Sequence, residues 1–220
     1  MRPERYQGFQ DAMSLFEKNG EEVTAPKVTD YSSFKDKLKK GDIILATYTG
    51  TNVVSPISKL ISLATKSPWT HTGMYLGDGR LAELSFGLDK KTKQFAKGNI
   101  KYRERSINSP GYVIRRLVAV RPKVPEEVRE TAAERMRRYG KKMKYSYSTL
   151  VKNLLPTRRV LTPLDKNSIS TGVCTTAVAV SYPNVEFRPG YSPEYLRPKD
   201  FLNSDAVNPV VEYVPNNEDK

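Results

Sequence analysis

Two short segments joined by a glycine turn occupy residues 69–85, which read Trp-Thr-His-Thr-Gly-Met-Tyr-Leu-Gly-Asp-Gly-Arg-Leu-Ala-Glu-Leu-Ser. Apolar and β-branched residues run through both segments, and Gly77-Asp78-Gly79 between them is a strong hairpin signal. The stretch therefore predicts a β-hairpin that carries His71 on its first strand and Glu83 on its second.

Histidine and cysteine each occur once in the 220 residues. Cys174 opens an apolar run that is typical of a buried helix, and Thr171-Gly172 before it are typical of a helix start. A thiolate forms most readily at a helix N-terminus beside an imidazole, where the free N–H groups of the first turn also bind an oxyanion. The pattern predicts Cys174 as a nucleophile and His71 as its general base.

A catalytic imidazole needs an acceptor on its second ring nitrogen, and Glu83 is the candidate. With a two-residue loop, Met74 would pair with Glu83, and Glu83 would lie on the opposite face from His71. A three-residue loop pairs Gly73 with Glu83 and reverses this. We therefore expect an odd loop with a glycine bulge, and a glycine opposite the carboxylate where space is needed.

Each of these features has an ordinary structural explanation when it is taken alone. A cysteine among Val173, Ala177 and Val178 is most often a small buried hydrophobe. A lone histidine near a strand start is ordinarily structural or at the surface, and a glutamate after a turn is ordinarily solvated. The functional interpretation depends on the three residues occurring together.

Other elements follow from apolar spacing and from turn residues. Helices are expected at residues 3–18, 31–40, 57–65 and 148–155, in a long segment that begins at Pro125, and after a turn within 191–202. Strands are expected at residues 42–47, 112–120 and 207–214, a linker at 24–30, and loops at 90–105, with one short strand, and at 157–172.

The ordered set of motifs resembles the circularly permuted papain-like cysteine hydrolases, the NlpC-type branch that contains YiiX-like and lecithin retinol acyltransferase-like proteins. Its residues are Gly41-Asp42-Ile43-Ile44, then residues 70–79, Glu83, and Cys174 at a helix start. Two further segments look like the YiiX-like pattern: Tyr145-Ser146-Tyr147, and Ser192-Pro193-Glu194-Tyr195-Leu196. The order histidine, acid, cysteine is the permuted one, since the cysteine helix comes first in ordinary papain-like enzymes.

The resemblance implies an α+β, circularly permuted papain-like fold, with an antiparallel sheet packed against the helix that carries the cysteine. It implies one domain over residues 40–214 with a basic insertion near 90–105, a helical N-terminal extension over 1–39 and a tail over 215–220. The implied activity is a cysteine hydrolase or acyltransferase that cleaves or transfers an acyl group at an amide or ester bond, without a cofactor.

Substrates in this group range from peptidoglycan stem peptides to lipids. The neighbours of Cys174 lack the aromatic, serine and acidic residues of many relatives, so no substrate class is carried over. Some members are encoded by bacteriophages and poxviruses, so the resemblance admits a viral source and an association with the virion.

The composition excludes several classes of protein. A single cysteine forms no internal disulfide, and one histidine without a Cys-x-x-Cys motif is a poor basis for a zinc site, so we expect no structural metal. The first residues carry no apolar signal core, and no apolar run approaches the ~20 residues that span a bilayer. The expectation is a protein made in the cytoplasm without a signal peptide or a transmembrane segment.

The net charge of +13 is concentrated between Arg80 and Arg159, with 22 Lys or Arg against 7 Asp or Glu. Such a field favours an anionic partner such as cell wall, lipid or nucleic acid, although a solvated basic face is the alternative. A second hypothesis is therefore a non-catalytic binding or structural protein of a larger assembly, such as a viral particle, on the same fold. Its contacts with nucleic acid or a partner would come from Arg115, Arg116, Arg137, Arg138, Lys141, Lys142 and Lys144.

Overall fold

A computed structural model describes residues 24–47, 62, 65–85, 101–108, 116–145 and 171–215. The strands are β1 (Lys27–Val28), β2 (Ile43–Thr47), β3 (Trp69–Gly77), β4 (Arg80–Ser85), β5 (Lys101–Ser106), β6 (Leu117–Pro122), β7 (Lys144–Tyr145), β8 (Thr171–Gly172) and β9 (Val207–Tyr213). The helices are α1 (Tyr31–Asp36), α2 (Glu126–Gly140), α3 (Cys174–Ser181) and α4 (Pro198–Leu202), with a 3-10 turn at Pro193–Tyr195. The described part of the chain is thus of mixed α+β class, as the sequence predicts.

Seven strands form one sheet in the order β1-β9-β6-β2-β3-β4-β5, and β7 and β8 form a separate parallel pair. Neighbouring strands of the large sheet are antiparallel, except that β1 runs parallel to β9. The sheet is therefore mixed, with the expected antiparallel pairing at the strands that carry His71 and Glu83 and a parallel pair at the β1 edge. Strand β1 lies in the predicted linker 24–30, where two residues are too few to give a strand signal.

The sheet is covered on both faces. Strand β2 is buried throughout, with Ile43 and Leu45 in a large core that includes residues of α2 and α3. Ile44 and Ala46 lie in a smaller core with Phe34 of α1. A strand buried on both faces reads as a continuous apolar run, which is the pattern that residues 42–47 show.

Helix α2 confirms the prediction of a long helix near Pro125. Pro125 is the N-cap, Glu126 and Glu127 lie in the first turn, and arginines lie in the last turn. Acids near the N-terminus and bases near the C-terminus interact favourably with the helix dipole. The buried residues of this helix are Arg129, Ala132, Ala133, Met136 and Gly140.

Residues assigned to the N-terminal extension pack against the sheet. The Phe34 side chain is fully buried, and the Tyr31 hydroxyl donates to the carbonyl of Ile107 at 2.6 Å. Residues 27–36 therefore belong to the same folded unit as the sheet.

Several sequence predictions fall outside the described residues, namely the helices at 3–18 and 148–155, nearly all of the helix at 57–65 and nearly all of the loop at 157–172. The strand expected at 112–120 is observed at Leu117–Pro122, with 109–115 outside the description. The basic insertion contributes β5, the one short strand expected there. Among the described helices, none has the length and apolar character needed to cross a bilayer.

Candidate active site

The hairpin β3–β4 has the register that places His71 and Glu83 on one face. Gly73 pairs with Glu83, which confirms the predicted pairing. The turn residues are Asp78 and Gly79, and a register shift between Tyr75 and Gly77 supplies the expected bulge. The bulge, and not a longer turn, shifts the strands by one residue, and Gly77 adopts the positive φ of +87° that it requires.

Gly73 is needed because β4 lies very close to it. A Cβ atom at this position would lie 2.9 Å from the carbonyl oxygen of Ala82 and 3.2 Å from Cγ of Leu81. Atoms of β4 thus occupy the space that a side chain at position 73 would need. Glycine allows the close approach that keeps Glu83 beside His71.

Both carboxylate oxygens of Glu83 have partners. The His71 Nε2 atom lies 2.7 Å from Oε2, and the Arg105 Nε atom lies 3.0 Å from Oε1. Only 14 % of the His71 side chain and 4 % of the Glu83 side chain are exposed, so little water competes for these contacts. Arg105 was not predicted as a site residue. Only when β5 is known to be a strand does it follow that Arg105 lies on the opposite face from Tyr102 and Glu104.

Cys174 is the first residue of α3 and is buried, with 8 % of its surface exposed. The Cys174 thiol interacts with the His71 side chain, and this interaction favours the charged form of the imidazole. The register of β2 on β3 shifts between Ala46 and Thr47, beside His71, and such a bulge changes the direction of side chains at a strand end. The structure therefore brings together the three residues that the sequence singled out.

The start of α3 differs from the expected cap. The N-cap is Val173, whose N–H donates to Thr176 Oγ1 at 3.1 Å, while Thr171-Gly172 form β8. The Thr175 hydroxyl donates to the carbonyl of Leu196 at 2.7 Å, which ties this end to the segment after the 3-10 turn. The residues before the cysteine thus form a strand, and a side chain inside the helix caps it.

The first intrahelical backbone bond of α3 runs from the Ala177 N–H to the Val173 carbonyl. The N–H groups of the preceding helical residues, including that of Cys174, therefore lack intrahelical acceptors. Donors of this kind beside a nucleophile stabilise a negatively charged oxygen.

The electrostatics favour a charged imidazole. Burial disfavours the imidazolium, but the negative charge of Glu83 and the hydrogen bond with Cys174 outweigh it and raise the pKa of His71 from 6.5 to about 10. Since Nε2 faces Glu83, Nδ1 is the ring nitrogen left for the thiol.

The pKa of His71 is directly measurable because the chain has one histidine. We expect its NMR resonances to titrate with a midpoint near pH 10, and Glu83→Gln to move the midpoint down, since the carboxylate is the largest favourable contribution. Because the folded-state pKa is raised, the stability contributed by this group is fully present below pH 6.5 and is lost as the pH rises through about 10. A midpoint near the unperturbed value, unmoved by Glu83→Gln, would contradict the ion pair.

The Gly41-Asp42 motif has a structural role. The Asp42 side chain is fully buried; its oxygens accept from Arg121 Nε and Nη2, each at 2.8 Å, and from the Lys39 N–H at 2.8 Å. Gly41 has a φ of +88°, and a Cβ there would lie 2.6 Å from the carbonyl oxygen of Arg129. The motif therefore anchors the start of β2 against α2, and its carboxylate is occupied by Arg121.

The basic residues of the second hypothesis fall into three groups. Arg116 pairs with the fully buried Glu212 and lies over the Trp69 ring, and Arg137 pairs with Glu134 at 2.9 Å. The exposed ones are Arg138, Lys141 and Lys142 at the end of α2. Arg115 and the side chain of Lys144 lie outside the described part of the chain.

Within the described residues, no group of three or more His, Cys, Asp or Glu side chains is arranged to hold a metal ion. No family model matches this chain, and no curated protein matches its sequence. Function is therefore inferred from the geometry of the site.

Proposed function

We propose that the protein is a cysteine-dependent hydrolase or acyltransferase that acts on an amide or ester bond. Cys174 is the nucleophile, His71 the general base and acid, and Glu83 the residue that orients the imidazole. The observation that carries the proposal is that the His71 ring lies 2.7 Å from the Glu83 carboxylate and also interacts with the Cys174 thiol at the start of α3. A structural role for a buried cysteine requires neither a histidine beside it nor a carboxylate behind that histidine.

The proposed reaction begins with the Cys174 thiolate paired with the His71 imidazolium. The sulfur attacks the carbonyl carbon, and the carbonyl oxygen becomes an oxyanion held by the N–H of Cys174. The tetrahedral intermediate collapses, the bond to the leaving nitrogen or oxygen breaks, and His71 gives its proton to that atom. The products of this half are a thioester on Cys174 and a neutral imidazole.

In the second half, neutral His71 removes a proton from the acceptor. The acceptor attacks the thioester, the carbon–sulfur bond breaks, and the thiolate and imidazolium are restored. Water as acceptor gives hydrolysis, whereas an alcohol or amine gives acyl transfer. The residues are the same in both cases.

We also propose that the fold is the circularly permuted papain-like one. Supporting it is the chain order of the site: strand β2 with the Gly-Asp motif, then the histidine strand β3, the acid strand β4 and finally the cysteine helix α3. Helix α3 packs on both β3 and β4, so the nucleophile meets the two strands that carry its partners.

The test is the reactivity of Cys174 toward iodoacetamide. An ordinary thiol loses reactivity about tenfold for each pH unit below its pKa of ~8.5, because only the thiolate reacts. We expect Cys174 of the folded protein to react faster at neutral pH than an ordinary thiol, because a neighbouring imidazole accepts its proton.

Two controls accompany this measurement. The urea-unfolded chain presents the same cysteine without its partners, and Cys174→Ala combined with Thr131→Cys presents an exposed thiol on α2 of the folded protein. Both should react at the rate of an ordinary thiol. If folded Cys174 behaves as they do, the proposed function fails.

A further inference from the structure

Strand β5 brings two arginines to the face of the sheet that carries His71 and Glu83. Arg103 pairs directly with Glu83, and Arg105 pairs with Leu81. Residues that pair directly across neighbouring strands share a face, so Gly73, Glu83 and Arg103 form one row across β3, β4 and β5. Both arginines come from the basic insertion.

The two arginines differ in what they contact. The Nε atom of Arg105 lies 3.0 Å from Oε1 of Glu83, the carboxylate oxygen that does not face His71. Arg103 is half-buried, and no acidic side chain within the described ranges forms an ion pair with it. The one carboxylate in its row, that of Glu83, contacts His71 and Arg105 through its two oxygens.

We propose that Arg103 binds a negatively charged group of the substrate, a carboxylate or a phosphate, next to the bond that Cys174 attacks. This inference rests on the proposed function and adds the class of substrate. Neighbouring strands lie ~4.8 Å apart, so Arg103 starts about two strand spacings from β3. An extended arginine side chain covers much of that distance, and its planar guanidinium binds both kinds of oxyanion in bidentate fashion.

The experiment compares two alkylating reagents that differ in charge, iodoacetate and iodoacetamide. For the wild-type protein, we expect the rate ratio of iodoacetate to iodoacetamide at Cys174 to exceed that of the unfolded chain. Arg103→Gln should lower this ratio by about fivefold at low salt, because the charged reagent senses the lost cation directly and the neutral one does not. Added salt should reduce the wild-type ratio as well.

The controls separate charge from structure. Arg103→Lys should retain most of the ratio because it keeps the positive charge. Arg135→Gln removes another half-buried arginine, on α2, and should leave the ratio unchanged. A ratio that is the same in Arg103→Gln and wild type overturns the inference.

Protection experiments identify the anion. Slower iodoacetamide labelling in the presence of glutarate, lost in Arg103→Gln, assigns a carboxylate, and the same result with glycerol phosphate assigns a phosphate. Protection by neither anion contradicts the substrate class even if the reagent ratio changes. Failure of the proposed function has a different signature, namely an iodoacetamide rate at Cys174 no higher than that of an ordinary thiol.

Discussion

His71→Gln is expected to slow the acylation of Cys174 by p-nitrophenyl acetate at neutral pH by about 10³-fold, within the range of general acid–base contributions. Glutamine still offers an N–H donor to Glu83, which accepts from the His71 ring at 2.7 Å, but it neither takes the thiol proton nor carries a positive charge. The measurement is the burst of p-nitrophenol in stopped flow, with the acetyl group located on Cys174 by mass spectrometry.

Cys174→Ser sets the background of this assay, because the chain has no other thiol. In the Arg135→Gln variant, Cys174 should be acylated at the wild-type rate. This variant controls for the effect of a glutamine substitution outside the proposed site. Unfolding in urea should show that His71→Gln is folded under the assay conditions. Acylation of folded His71→Gln at the wild-type rate would contradict the role of His71 as general base.

Asp42→Ala is expected to lower the free energy of unfolding by about 3 kcal/mol, the lower end of the cost of breaking a buried ion pair. The Asp42 carboxylate is fully buried and accepts from two nitrogens of Arg121. Removing it leaves the Arg121 guanidinium without its carboxylate partner, although 24 % of that side chain is exposed and regains some hydration. The measurement is urea unfolding followed by circular dichroism.

Glu126→Ala is the matched control for the loss of a carboxylate. The Glu126 side chain is 59 % exposed, and its oxygen lies 3.8 Å from Arg129 Nη2. Exposed pairs of this kind contribute at most about 1 kcal/mol. If Asp42→Ala costs no more than Glu126→Ala, the Gly-Asp motif does not stabilise β2 as argued.

Elements with strong local signals were predicted from the sequence. Helix α2 has a proline at its start, acids in its first turn and a buried face made mostly of small or apolar residues, and each of these signals acts within a few residues. The apolar run of β2 and the helix that starts at Cys174 are local in the same sense. For this reason both were predicted close to their observed bounds.

The hairpin register shows the limit of local signals. The sequence Gly77-Asp78-Gly79 is compatible with either face for Glu83, and the register was predicted correctly only because a catalytic role demanded one of them. The structure produces that register with a bulge before a two-residue turn, where Gly77 and Gly79 adopt positive φ. Packing of the flanking strands selects between such alternatives.

The contact of Arg105 with Glu83 and the existence of strand β1 could not be predicted from the sequence. Arg105 meets Glu83 only because β5 pairs with β4, and β1 exists only because two residues of a linker find the edge of β9. Strands β1 and β5 are too short for the alternation of their residues to predict which strand each one pairs with.

The sequence by itself determined the α+β class, the hairpin and the helix at Cys174, because apolar spacing and turn residues act over a few positions. It also singled out His71, Glu83 and Cys174 as the candidate site residues. Only the tertiary structure decided that the single cysteine meets the single histidine, that Glu83 stands behind it, and that two arginines of β5 share its face. These contacts join segments far apart in the chain, and they form through strand pairing and core packing that no local pattern encodes.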